Sequence, residues 1–108
     1  MPISLYKMRY DVHMTNGRFL QITKALVDAR RFEILGRIAA AKDEVSCIDL
    51  RAEIPISRAT LSHHIKELKT AGLIQARRES KYMFLKMRRN TWEKYVKRLS
   101  EIGRQSPQ

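Results

Sequence analysis

A chain of 108 residues is one domain long and has room for a single modest core. With 44% apolar and 31% charged residues, only 4 Gly and 3 Pro, and one cysteine, it is neither a disordered nor a collagen-like chain, and it has no intrachain disulfide or CxxC metal knot. Lys and Arg number 22 against 11 Asp and Glu, for a net +11, and no apolar run approaches the ~18 residues of a membrane span, so a cytoplasmic protein with no membrane partner is expected.

Residues 6–14 alternate, with Tyr6, Met8, Tyr10, Val12 and Met14 set between Lys7, Arg9, Asp11 and His13. A period of two predicts a short half-buried strand, or a loose arm where nothing pairs with it. Thr15-Asn16-Gly17 breaks the pattern and closes an N-terminal arm over 1–17. From Phe19 the period is helical, with Phe19, Ile22 and Leu26 on one face. Asp28 is placed to cap a second helix carrying Phe32, Ile34, Leu35 and Ile38. After the polar loop Lys42-Asp43-Glu44, Ser46 opens a short helix, with Asp49 in capping-box position and Leu50 facing inward. Pro55 pushes Ile54 out of the α region and ends it. Ser57 caps the next helix, whose buried stripe is Leu61, Ile65 and Leu68, and Gly72 sits where the residue after a helix needs a positive φ.

Two short helices joined by a tight turn form a helix-turn-helix pattern. A hairpin follows: Leu73 to Arg78, a Glu79-Ser80 turn, and a return over Lys81 to Met87 with Met83, Leu85 and Met87 on one face. A last helix begins near Thr91 and carries Trp92, Tyr95, Val96, Leu99 and Ile102 at helical spacing. The expected fold is mainly α with a small β-hairpin wing: a dimeric winged helix-turn-helix domain over 18–103, followed by a disordered tail over 104–108.

The charge is uneven, with 9 basic and 7 acidic groups in residues 1–56 but 13 and 4 in residues 57–108. So basic a half is the footprint of a polyanion, nucleic acid before membrane, because no segment joins that charge to a broad apolar face.

The stretches ALVDARRFEIL (25–35), ISRATLSHHIKELKTAGLI (56–74) and RRESKYMFLKM (77–87) resemble the ArsR/SmtB family of winged-helix repressors over about residues 19–100. The resemblance implies a homodimer that binds operator DNA and, in many members, releases it to an inducer. Metal-sensing members carry two cysteines in Glu-Leu-Cys-Val-Cys-Asp-Leu. Here that stretch reads Glu44-Val45-Ser46-Cys47-Ile48-Asp49-Leu50, so both ligand positions are non-thiol. The family's other metal site uses Asp and His of the final helix, and residues 90–103 contain neither. A regulator that needs no metal and no cofactor is expected.

An α-helix fits the major groove and its N-terminal residues reach base edges first, which selects Ser57, Arg58, Ala59, Thr60 and Ser62. Arg58 either pairs with guanine or clamps phosphate; Ala59 or the Thr60 methyl can touch thymine. The helical wheel sets His63 with Lys66 on the outer face as a DNA contact, and His64 beside the core as a packing residue. Arg77, Arg78, Lys81 and Tyr82 gather at the hairpin tip, as backbone contacts or as a solvated edge strand. Phe19, Ile22 and Leu26 with Trp92, Tyr95, Val96, Leu99 and Ile102 are expected to join two subunits, since one small core cannot cover both stripes. No nucleophile elbow, phosphate loop or HExxH motif is present, so an enzyme is not expected. Two alternatives stay open: a winged helix that binds RNA or protein, and redox sensing through Cys47, whose place in a first helical turn would lower its thiol pKa.

Overall fold

A computed structural model describes residues 14–104. Among the described residues, five helices and three strands follow in the order α1 Asn16–Leu26, α2 Ala29–Ala40, β1 Val45–Ser46, α3 Cys47–Glu53, α4 Arg58–Thr70, β2 Ile74–Glu79, β3 Tyr82–Met87 and α5 Arg89–Gly103. The expected strand over residues 6–14 lies, apart from Met14, outside the described residues, as do residues 105–108 of the expected tail.

Side-chain caps set most of the helix starts. Oxygens of Thr15, Asp28, Ser46 and Ser57 accept from the backbone N–H three residues on, at 3.1, 2.9, 3.0 and 3.1 Å, satisfying donors that have no partner within the helix. Thr15 is therefore a cap rather than a breaker, and α1 opens at Asn16, inside the stretch assigned to the arm. At the end of α4 the N–H of Leu73 reaches the Leu68 carbonyl (3.0 Å) and that of Gly72 reaches Lys69 (2.9 Å), a Schellman closure that needs the left-handed φ of +79° at Gly72. Ile54, ahead of Pro55, is extended at φ −118°, ψ 125° and ends α3.

The three-stranded antiparallel sheet runs β1-β3-β2. Register pairs Ile74 with Met87 and Glu79 with Tyr82, so the turn is Ser80-Lys81, one residue later than expected. Glu79 stays in the strand, where Arg77 holds it at 2.6 Å, and Ser80 takes the positive φ of 58°. Val45 and Ser46 pair with Leu85 and Phe84 as a two-residue strand, too short to show as a period in the sequence. Helix α5 begins at Arg89, ahead of Thr91; the Arg89 guanidinium donates to the Ala39 carbonyl at 2.8 Å.

One core joins Ile22, Ile34, Leu35, Ile38, Leu50, Leu61, Ile65, Leu68, Leu73, Ile74 and Leu85. Phe32 does not follow the stripe of its helix and is 55% exposed. Two residues expected at a subunit interface belong to this core instead: Ile22 is fully buried, and Tyr95, also buried, hydrogen-bonds Thr23 Oγ1 at 2.9 Å and packs on Phe19 at 5.1 Å between ring centroids. Arg98 lies over the Phe19 ring at 4.6 Å and bonds the Met14 carbonyl and Asn16. Helices α1 and α5 thus clasp each other within one chain, which leaves Val96, Leu99 and Ile102 exposed (42%, 44% and 59%).

Candidate nucleic-acid interface

Helix α4 lies against α1, α2 and β2 and turns Ser57, Arg58, Ala59, Thr60, Ser62, His63 and Lys66 outward to solvent. Between α3, α4 and the hairpin runs a groove of about 660 Å³. Its basic walls are Arg51, Arg58, Lys66, Lys69, Arg78 and Lys81, and among the described residues no carboxylate lines it. Its floor includes Cys47, Ile48, Leu61, Ile65 and Met83, and Ser62 and Tyr82 border it. Six cations on one concavity, without a counter-charge among the lining residues, focus positive potential along the helix-turn-helix.

The two adjacent hairpin arginines diverge. Successive strand residues point to opposite faces, so Arg78, opposite Met83, faces the groove, while Arg77 faces away. There Arg77 makes a bidentate pair with Glu44 (3.1 and 2.8 Å), bonds Glu79 at 2.6 Å and stacks over Phe84 at 4.8 Å. The Arg77 guanidinium holds the Glu44 carboxyl below its usual pKa, and the two carboxylates push Arg77 up. Arg77, expected beside Arg78, is thus a strut of the sheet.

His64 is buried, as its place on the wheel implies, and its Nδ1 accepts from Arg31 Nε at 3.2 Å. Arg31 also donates to the Ala25 carbonyl at 3.2 Å, so this contact ties α4 to the α1–α2 corner. Burial pushes the His64 pKa below the usual imidazole value, against the attraction of Asp28. The first backbone N–H groups of α2, that of Arg31 foremost, hold Asp28 below the usual carboxylate range.

A family model described as a helix-turn-helix domain matches residues 26–75. A helix-turn-helix-type transcriptional regulator of Bacillus subtilis, YceK, is 33% identical over 76 residues, covering 70% of this chain and 76% of its own length. The chain belongs to the family of helix-turn-helix-type transcriptional regulators. A protein of Halobacterium salinarum named as a putative arsenical resistance operon repressor is 37% identical over 65 residues, or 60% of this chain and 55% of that protein. Among solved structures, an ArsR-like regulator from Rhodococcus superposes with a TM-score of 0.71 at 24% identity, covering 81% of this chain and 80% of that one. A homodimeric winged helix-turn-helix DNA-binding domain from Mycobacterium bovis gives 0.65 at 21% identity, covering 85% and 86%. Both share the fold. The family is one of transcriptional regulators and not of enzymes.

Of the residues the sequence selected in this regulator, Arg58, Ser62, Lys66, Arg78, Lys81 and Tyr82 meet on the groove. Ser57, Ala59, Thr60 and His63 lie exposed beside it, with Ser57 and Thr60 engaged in the cap. The sequence selected neither Arg51 nor Lys69. Lys69 was legible as Ser62 and Lys66 continued by three residues; Arg51 was not, because α3 reaches the groove only by packing on the sheet. Cys47 stands in the first turn of α3 as expected, but its thiol does not gain acidity there. Burial pushes its pKa up, and the nearby Arg78 offsets this only in part. Among the described residues, no group of three His, Cys, Asp or Glu side chains could hold a metal ion.

Proposed function

We propose that this regulator is a homodimer that binds duplex DNA sequence-specifically and represses transcription by occupying its operator, with no metal required. The observation that carries this reading is the groove with six cations and no carboxylate among its described lining residues, set beside the outward face of α4. In the proposed complex the first turn of α4, Ser57 to Ser62, enters the major groove, with Arg58 at a base edge or a phosphate and His63 beside it. Lys66, Arg78 and Lys81 meet the phosphates that flank it, and Tyr82 adds a hydroxyl to one of them.

Dimerisation is proposed through the exposed α5 stripe Val96, Leu99 and Ile102, with Trp92, Phe19 and Leu26 at its margins. The homodimeric state named for the Mycobacterium neighbour supports it. Repression is supported by the name of the Halobacterium relative. Independence from metal rests on Ser46 and Ile48 at the two thiol positions. A cytoplasmic location suits a regulator of this kind; among the described residues, no helix is long and apolar enough to cross a membrane.

The test is a gel shift of the full chain with random duplex DNA and its RNA equivalent, each with and without chelator. Tighter binding to the duplex, unchanged by chelator or added Zn²⁺, is expected. Preference for RNA would favour the RNA-binding alternative, and release by stoichiometric zinc would overturn independence from metal.

A further inference from the structure

A second cleft, of about 690 Å³, opens at the C-terminal end of α4, lined by the start of α1, the end of α4, β2 and the first two turns of α5. Its cations are Arg18, Lys69, Arg88 and Lys94, and among the described residues no Asp or Glu lines it. Elsewhere Arg30, Arg37, Arg77 and Lys86 each lie within 4.0 Å of a carboxylate, whereas these four have no ion pair among the described residues. Four like charges brought together without a partner repel one another, and an anion among them relieves that cost. Thr91 and Gln75 add neutral donors to the same wall.

From these residues we infer that the cleft is a binding site for a small multivalent anion, phosphorylated or polycarboxylate. Its volume falls in the range of small-ligand pockets. It lies at the last turn of a 13-residue helix, roughly 18 Å along the axis from Arg58, so an occupant leaves the DNA-reading end of α4 free. Arg18 Nη1 donates to the Thr70 carbonyl at 3.0 Å and crowds Gly72 so closely that a Cβ there would lie 2.7 Å from it. Lys69 lines both clefts. An anion that draws Arg18 and Lys69 toward itself therefore changes the restraint on the end of α4 and removes one cation from the DNA groove. This coupling to operator affinity rests on the DNA-binding reading; the anion site does not.

Isothermal titration calorimetry of the full chain with inorganic pyrophosphate, and separately with citrate, tests the site. Saturable binding of one anion per chain is expected. Arg88→Ala combined with Lys94→Ala should weaken it about tenfold or more, the loss of two charge-assisted contacts. Arg58→Ala with Arg78→Ala should leave it within about twofold, and Arg88→Lys with Lys94→Arg, which keep both charges, should retain most of it. A thermal melt checks that the alanine pair folds; if it does not, Lys94→Gln alone must show the weakening. No saturation by either anion, or equal weakening by the two alanine pairs, overturns the site. Loss of salt dependence in DNA binding by the Arg88 and Lys94 pair, without anion saturation, would make the cleft part of the DNA track and overturn it too. If pyrophosphate binds as expected but leaves the gel shift unmoved, the coupling falls and the site stands.

Discussion

Arg77 and Arg78 are neighbours in sequence with opposite surroundings, and exchanging each for alanine separates the groove from the strut. A cation that neutralises one phosphate contributes about 0.9 to the slope of log K against log salt. Arg78 faces a groove with no carboxylate among its described lining residues, so Arg78→Ala should flatten that slope by about 0.9 per subunit, or about 1.8 for a dimer. Raising salt fourfold should then weaken the variant's binding about 3.5-fold less per lost contact than the wild type's. Arg77 is already bonded to Glu44 and Glu79, so Arg77→Ala should leave the slope unchanged and register only as a lower melting temperature. The assay is fluorescence anisotropy of a labelled duplex across a salt series, with a thermal melt beside it. Equal flattening by the two variants would refute the reasoning, because Arg77 would then leave its carboxylates for DNA.

Arg58→Ala should cost about 1–3 kcal/mol on the preferred operator and relax discrimination at one base pair, if it reads guanine; equal losses on preferred and random DNA would make it a phosphate clamp. His64 is held below its ordinary pKa of 6.5 in the folded chain, so the unfolded chain takes up the proton first as pH falls, and stability is full above about pH 6.5 and drains away below it. Denaturation midpoints at about pH 7.5 and 5.5 should show that fall in wild type and a smaller one in His64→Gln, while equal falls would assign the effect to other groups. Leu99→Glu puts a charge on a side chain that is 44% exposed in the single chain, so the variant should stay folded, sediment as a monomer and lose about two orders of magnitude in operator affinity. An unchanged sedimentation coefficient would remove α5 from the interface.

What the sequence made legible was local. A cap acts over three residues, so Asp28, Ser46 and Ser57 could be read directly, and Gly72 declared the end of α4 by its place after the stripe. What it hid depends on partners far along the chain. Arg77 and Arg78 look alike until the strand register is known and Glu44, 33 residues away, is brought beside one of them. Ile22 and Tyr95 fit an interface stripe equally well whether the helix they pack on is their own chain's or another's; Thr23, 72 residues from Tyr95, decides it within the chain. Cys47 sits at a helix start, which argues for an acidic thiol, but burial, a tertiary property, dominates.

The central claim is that a dimer reads duplex DNA through α4. Selection of bound sequences from a random duplex pool by the full chain tests it most directly, since motif and symmetry emerge together. The account predicts an enriched inverted repeat with half-site centres about 10–10.5 base pairs, or one helical turn, apart, and loss of part of that motif with Arg58→Ala. A pool that stays random after repeated selection, or a single unrepeated half-site, would contradict it.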